Sequence, residues 1–317
     1  MARLDGRVAI VTGASRGLGR AIALALASNG AAVAVAARTE TQWDDRLPGT
    51  IGETVAEIAA AGGKAVAIRA DLFERADRAR LVEEARAALG PITILVNNAA
   101  FTAPGRPPRA DGGASPSQSP GGLPGAPAGV SGPPSAPQAE MVGQAASVPP
   151  RAGGGEANWP TFVTTPLRAY ERHFIIGPFA AYELMQLVVP DMTEAGYGSI
   201  VNITSGASRM PGDGPFPDRS EGVLAGYGGS KAALEHLTQC AGYELADRNI
   251  AVNALSPSKA ILTPGVAYYS KVFEDLAPEE DFAEAVVRLA LVDPNVVTGK
   301  VIGHADVLDG SFRSYVH

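Results

Sequence analysis

An α/β fold of the doubly wound type is what this sequence predicts, with a mostly parallel seven-stranded sheet and helices on both faces. Three observations predict it. Short apolar runs alternate with helix-like stretches almost from end to end. The first run leads into a glycine-rich turn that opens a helix. And 317 residues, 46% of them hydrophobic, suffice for one large core.

The elements follow in order. Residues 8–11 are wholly apolar, as a parallel strand covered on both faces must be. Small and apolar residues from 17 to 28 predict a helix, closed by Asn29-Gly30, and residues 32–37 the next strand. A helix over 51–61 ends at Gly62-Gly63, followed by a strand at 65–69. An amphipathic helix over 74–89 and a strand at 92–96 complete this half. The alternation then stops, because residues 103–157 hold 12 prolines and 12 glycines and too little apolar content to fold alone. This stretch reads as a disordered insertion within a single domain spanning 1–317, since the alternation resumes beyond it. Residues 167–195 read as helix apart from Gly177-Pro178, and 199–203 as strand. A helix at 227–247, a strand at 250–255, a helix at 281–292 and a last strand at 301–307 finish the pattern. Trp159 and Phe162, leaving the insertion, are expected to anchor it to the body.

A net charge of −7 argues against a nucleic-acid partner. One cysteine, Cys240, forms no internal disulfide and suits a reducing cytoplasm. The N-terminus has no apolar leader, and the most membrane-like stretch, 21–37, is broken by Ser28, Asn29 and Gly30. The four histidines have no ligand spacing, so no metal site is expected.

Three motifs carry chemistry. The turn Thr12-Gly13-Ala14-Ser15-Arg16-Gly17-Leu18-Gly19 suits close backbone approach to a pyrophosphate lying on a helix N-terminus, although any tight strand-to-helix turn favours glycine. Tyr227 and Lys231 stand four apart, on one face of a helix. An ammonium there lowers the phenol pKa, so that the tyrosine exchanges a proton as hydride moves; isolated pairs of this kind are also common on surfaces. Ser205 follows the strand ending Asn202-Ile203-Thr204, where a hydroxyl faces the crevice of a parallel sheet or merely caps a turn.

The combination resembles the short-chain dehydrogenase/reductase family. The glycine motif matches at 12–19, the Asn-Asn-Ala-Gly motif as Asn97-Asn98-Ala99-Ala100, and Tyr-x-x-x-Lys at Tyr227 to Lys231. Asp71-Leu72, Asn202 to Ser205, and Val252 to Pro257 leading to Thr263 add to it. Residues 47–65 are similar to the hydroxysteroid dehydrogenase-like branch.

The resemblance implies catalytic roles for Ser205 (orienting the carbonyl), Tyr227 (general acid/base) and Lys231 (holding the ribose and lowering the Tyr227 pKa). It implies cofactor contacts from Gly13, Ser15, Arg16, Gly17, Leu18, Gly19 and Arg38, from Asp71 and Leu72 at the adenine, from Asn98 and Ala99, and from Ile261 and Thr263. NADP is expected over NAD, because no carboxylate follows the second strand before Glu40 while Arg16 and Arg38 suit a 2′-phosphate. The expected partner is a small carbonyl or alcohol substrate, and the expected assembly a cytoplasmic homodimer or homotetramer without membrane contact.

The departures are specific. Placing the family glycine at Gly177 puts Phe174 where the family has an active-site asparagine, which favours an alternative: a catalytically weak nucleotide-binding member. His173, next along, reads as structural, since adjacent helix residues point about 100° apart. Ala100 and Ser258 replace family glycines. An extra loop with Pro211, Gly212, Gly214, Pro215 and Pro217 is expected at the mouth of the site, with Tyr268, Tyr269 and Phe273 in a short lid.

Overall fold

A computed structural model describes residues 3–42, 45, 47–101, 162, 165–210, 212, 225–264 and 275–315. The expectations for 103–157, Trp159, the 211–217 loop except Gly212, and the three lid aromatics lie outside these residues. The seven strands are β1 (Val8–Thr12), β2 (Ala32–Ala37), β3 (Ala65–Arg69), β4 (Ile94–Asn97), β5 (Gly198–Ile203), β6 (Ile250–Ser256) and β7 (Val301–Gly303). They form one sheet in the order β3-β2-β1-β4-β5-β6-β7, and every pairing is parallel. The order reverses between β1 and β4, which opens a crevice beyond the carboxyl ends of these two strands.

Alternation along β1 explains its composition. Ala9 and Val11 join one apolar cluster, with Ile22 and Leu26 of α1 (Gly17–Ser28) and Phe282 and Val286 of α7 (Glu279–Leu289). Val8 and Ile10 join another on the opposite face. Leu81 of α3 (Arg75–Leu89) and Leu184 and Val188 of α5 (Ala180–Ala195) belong to that second cluster. With both faces covered, residues 8–11 are apolar, and the polar strand residues Thr12, Asn97 and Asn202 are buried with hydrogen-bond partners. α2 (Ile51–Ala60) starts from a capping box: the Thr50 hydroxyl accepts from Glu53 N while the Glu53 carboxylate takes Thr50 N.

Two departures from the expected elements have physical causes. The long helical segment is divided into α4 (Leu167–Phe174), a π-helical turn Ile175–Phe179, and α5. At the turn Gly177 leaves helical geometry, with φ −82° and ψ −106°, where Pro178 supplies no N–H. The last expected strand stops at Gly303 and continues as helix α8 (His304–Leu308). An apolar run this short satisfies either period, and Asp306 in its first turn favours a helix N-terminus. Phe162 is 82% exposed, so it does not anchor the insertion as expected.

Candidate active site

The site is assembled where β1, β4 and β5 end. Gly13 and Gly17, flanking the turn from β1 to α1, take positive φ of 69° and 52°. A Cβ on Gly19 would lie 2.2 Å from the Gly13 carbonyl oxygen, so no side chain fits there. Thr12 ties this turn to β4. Its hydroxyl accepts from Asn98 N at 3.0 Å and Ala99 N at 3.1 Å, and Asn98 Nδ2 donates to the Thr12 carbonyl at 2.9 Å. Ser15 is buried and Leu18 packs partly into the core. The first turn of α1 holds no acidic residue, which leaves its positive end open to an anion. Thr263 closes over the turn: a Cβ on Gly17 would lie 3.3 Å from Thr263 Cβ. Ile261, two residues earlier, is buried.

At the adenosine end, Arg16 Nη2 donates to Thr39 Oγ1 at 3.0 Å and to the Gly49 carbonyl at 3.2 Å. Arg38 is exposed at the end of β2. Glu40, the first carboxylate after that strand, pairs with Arg69 at 3.3 Å. Asp71 and Leu72 are buried beyond β3, where Asp71 Oδ1 accepts from Phe73 N at 3.1 Å. All of these polar groups sit along one edge of the carboxyl ends of the strands.

Ser205 leaves β5 in extended geometry and caps the 3₁₀ turn Gly206–Ser208, its hydroxyl accepting from Ala207 N at 3.3 Å. α6 (Ala225–Leu245) lies against that turn, and a Cβ on Gly228 would be 2.4 Å from the Ala207 carbonyl oxygen. This close approach, open only to glycine, brings Tyr227 into a hydrogen bond with the Ser205 side chain. Lys231, only 3% exposed, donates from Nζ to the Ile203 carbonyl at 2.6 Å, with Nζ 5.5 Å from the centre of the Tyr227 ring. Burial lowers the Lys231 pKa to about 8, and the Glu235 charge opposes that shift. Burial also pushes the Tyr227 phenol above its usual value, while the Ser205 bond pulls the other way. The expected lowering by Lys231 is therefore not met in this geometry: desolvation outweighs it, and the ammonium is directed at a backbone carbonyl.

α4 corrects the reading of Phe174. Its ring stacks on Tyr170 at 5.0 Å and Phe179 at 6.4 Å between centroids, and lies 3.6 Å from a Cβ placed on Gly229. It is His173 whose ring meets Tyr227, edge-on at 6.1 Å, with Phe101 at 5.2 Å on its other side. His173 Nδ1 is buried without a hydrogen-bond partner among the described residues, and burial, aided by the Lys231 charge, holds the imidazole pKa down at about 4. The sequence offered the residue but not its direction, which depends on how α4 is rotated against α6.

Behind the site, a chain of side-chain amides crosses the sheet. Asn97 Nδ2 donates to Asn202 Oδ1 at 2.8 Å, and Asn202 Nδ2 donates to Thr238 Oγ1 of α6 at 2.9 Å. The Asn-Asn motif signalled Asn97, but nothing in the spacing announced this link. Ala100 does not take positive φ, so alanine serves where the family has glycine. Ser258 N donates to His304 Nδ1 at 2.8 Å, fixing the segment that leads to Thr263.

With this geometry in place, comparison with known proteins is decisive at the level of family. The chain belongs to the short chain dehydrogenase family, whose family model matches residues 7–111 and 151–271. It is 31% identical to an uncharacterized oxidoreductase of Mycobacterium tuberculosis (strain CDC 1551 / Oshkosh), over 95% of this chain and 92% of that one. A solved 7α-hydroxysteroid dehydrogenase, complexed with NADH and 7-oxo glycochenodeoxycholic acid, superposes with a TM-score of 0.66 at 25% identity, covering 95% of this chain and 94% of that one. A structure from Beutenbergia cavernae, proposed as an NAD(P) dependent gluconate 5-dehydrogenase and holding NADP at low occupancy, gives 0.66 at 26% identity, over 96% and 98% of the two chains. Among the described residues no helix is long and apolar enough to cross a membrane, and no group of three His, Cys, Asp or Glu is placed to hold a metal ion.

Proposed function

We propose that the protein is an NADP(H)-dependent oxidoreductase that interconverts a carbonyl and a secondary alcohol, with Tyr227 as general acid/base. The observation that carries this is the convergence of Ser205, Tyr227 and Lys231 at the end of β5, on the same sheet edge as the glycine turn. The turn suits a dinucleotide, since Gly19 packs on the Gly13 backbone with no room for a side chain and the first turn of α1 carries no acidic residue to repel a pyrophosphate. NADP is favoured over NAD because Arg16 and Arg38 flank the end of β2 while Glu40 is drawn off by Arg69. The neighbouring structures hold NADH in one case and NADP in the other, which supports the cofactor class.

A nicotinamide dinucleotide, when bound, would supply hydride in one direction and accept it in the other. The protein's own part is the proton. The Ser205 hydroxyl orients the carbonyl oxygen, and Tyr227, kept protonated by burial, is poised to give its proton to the oxygen as negative charge develops there. Lys231 holds a positive charge below the phenol and supports the phenolate left behind.

The weakly catalytic alternative rests on Phe174 and on the long insertion. Phe174 packs on Tyr170 and Phe179, and the His173 ring stands beside Tyr227, which supports the catalytic reading over that alternative. The reading extends to a single domain with 103–157 as an insertion within it, and to a cytoplasmic homodimer or homotetramer. Tyr227→Phe tests the chemistry. It should retain NADPH binding, measured by cofactor fluorescence, while turnover in a carbonyl screen falls by about 10²–10⁴. Wild-type turnover in this variant would refute the mechanism.

A further inference from the structure

α6 carries one more buried charged side chain. Glu235 is only 7% exposed and stands one helical turn beyond Lys231. Its Oε1 accepts from Thr204 Oγ1 at 2.5 Å and lies 2.7 Å from Ser208 Oγ. These two hydroxyls stand on either side of Ser205 in the chain, and Ser208 Oγ also reaches the Ser205 carbonyl at 2.8 Å. We propose that Glu235 is a positioning residue: a single buried carboxylate oxygen grips the loop on both sides of Ser205 and fixes that hydroxyl relative to Tyr227 and Lys231. The inference rests on the catalytic reading of those three residues.

The argument is one of cost. A buried carboxylate is expensive unless its oxygens are bonded and an opposite charge is near. Core packing alone is served as well by leucine or methionine, and hydroxyls at 204 and 208 have no need of a charge. Here the charge has two uses. It holds two donors from one loop, and it offsets part of the desolvation that lowers the Lys231 pKa. The titratable groups near Lys231 are Glu235 and Tyr227 on its own helix and His173 from α4, whose charges it senses or affects. Near Glu235 are Lys231 and the hydroxyls of Thr204 and Ser208.

Two variants separate positioning from packing. Glu235→Gln keeps the shape and an accepting oxygen but removes the charge; Glu235→Ala removes both. The first measurement needs no substrate or cofactor: the titration of Lys231 in the unliganded protein, by NMR of 13C-labelled lysine side chains, with Lys231→Met identifying the signal. Its midpoint, about 8 in the wild type, should fall in Glu235→Gln, because an attractive charge has been lost. The second measurement is NADPH oxidation with 9,10-phenanthrenequinone as probe. Glu235→Ala should lose about tenfold or more in kcat with KM nearly unchanged, and should add no further loss to a Ser205→Ala background, since a positioning residue has nothing left to position there.

An unchanged Lys231 midpoint in a folded Glu235→Gln protein overturns the proposal. So does an equal kcat loss from Glu235→Ala whether or not Ser205 is present, which is the signature of general destabilisation. If Glu235→Ala behaves like the wild type while Tyr227→Phe is inactive, the inference fails and the catalytic reading stands. If Tyr227→Phe stays active, the catalytic reading fails and the inference, which rests on it, fails with it.

Discussion

At Arg38, a single exposed guanidinium stands where a carboxylate would select the other cofactor. Charge-assisted hydrogen bonds contribute roughly 1.5–3 kcal/mol each, so Arg38→Asp should weaken NADPH binding by about tenfold or more. NADH binding should change little or improve, and equal losses in parallel fluorescence titrations would remove the assignment. His173 makes a second prediction. Its folded-state pKa of about 4 lies below the usual 6.5, so the unfolded chain takes up the proton first as pH falls. Stability contributed by the neutral ring is complete above about pH 6.5 and is lost progressively toward pH 4. Thermal melts across that window should fall more steeply for the wild type than for His173→Leu, and parallel curves would show that the ring titrates normally.

α4 is the element on which sequence and structure diverge most usefully. Spacing from Gly177 marks Phe174 as the anomalous residue of the site, and from that alone Phe174→Asn should restore a missing polar group. The packing points to a different outcome. Phe174 is a packing residue between Tyr170, Phe179 and the Gly229 backbone, so Phe174→Asn should lower stability by about 1–3 kcal/mol without raising turnover. Denaturant melts and the carbonyl screen read the two halves of this prediction. The strands and helices were legible because period two and period 3.6 survive in a fully covered sheet, as the split of Ala9 and Val11 from Val8 and Ile10 shows. The Tyr227–Lys231 pair was legible because it lies within one helix turn. Contacts between elements were not. The rotation that turns His173 toward Tyr227, the reach of Glu235 to the loop around Ser205, and the Asn97–Asn202–Thr238 chain depend on tertiary packing that no local spacing encodes.

For the whole molecule, the described residues form one compact unit drawn from both sides of the 103–157 stretch. That stretch enters after β4 and rejoins the chain before α4, so it interrupts no strand or helix described here. Loop-closure entropy grows only with the logarithm of length, at about 0.6 kcal/mol per doubling. Replacing 103–157 with a short Gly/Ser linker should therefore leave the melting temperature within a few degrees. Loss of the folded state on replacement would show that the segment is part of the core.

The register of β4 on β5 has a consequence in time. Asn97 faces Asn202, and the order of strands places this pair at the centre of the sheet. β1, β2, β3 and β4 meet through nearby sequence, whereas β4 and β5 are separated by about 100 residues of chain. Non-local pairings of this kind slow folding. The glycine turn and the Arg16–Thr39 contact lie within the first four strands' stretch of chain, whereas Ser205, Tyr227 and Lys231 stand on elements that follow residues 103–157. A newly made chain therefore holds every residue of the glycine turn and its ties to β4 before it holds Ser205, Tyr227 or Lys231.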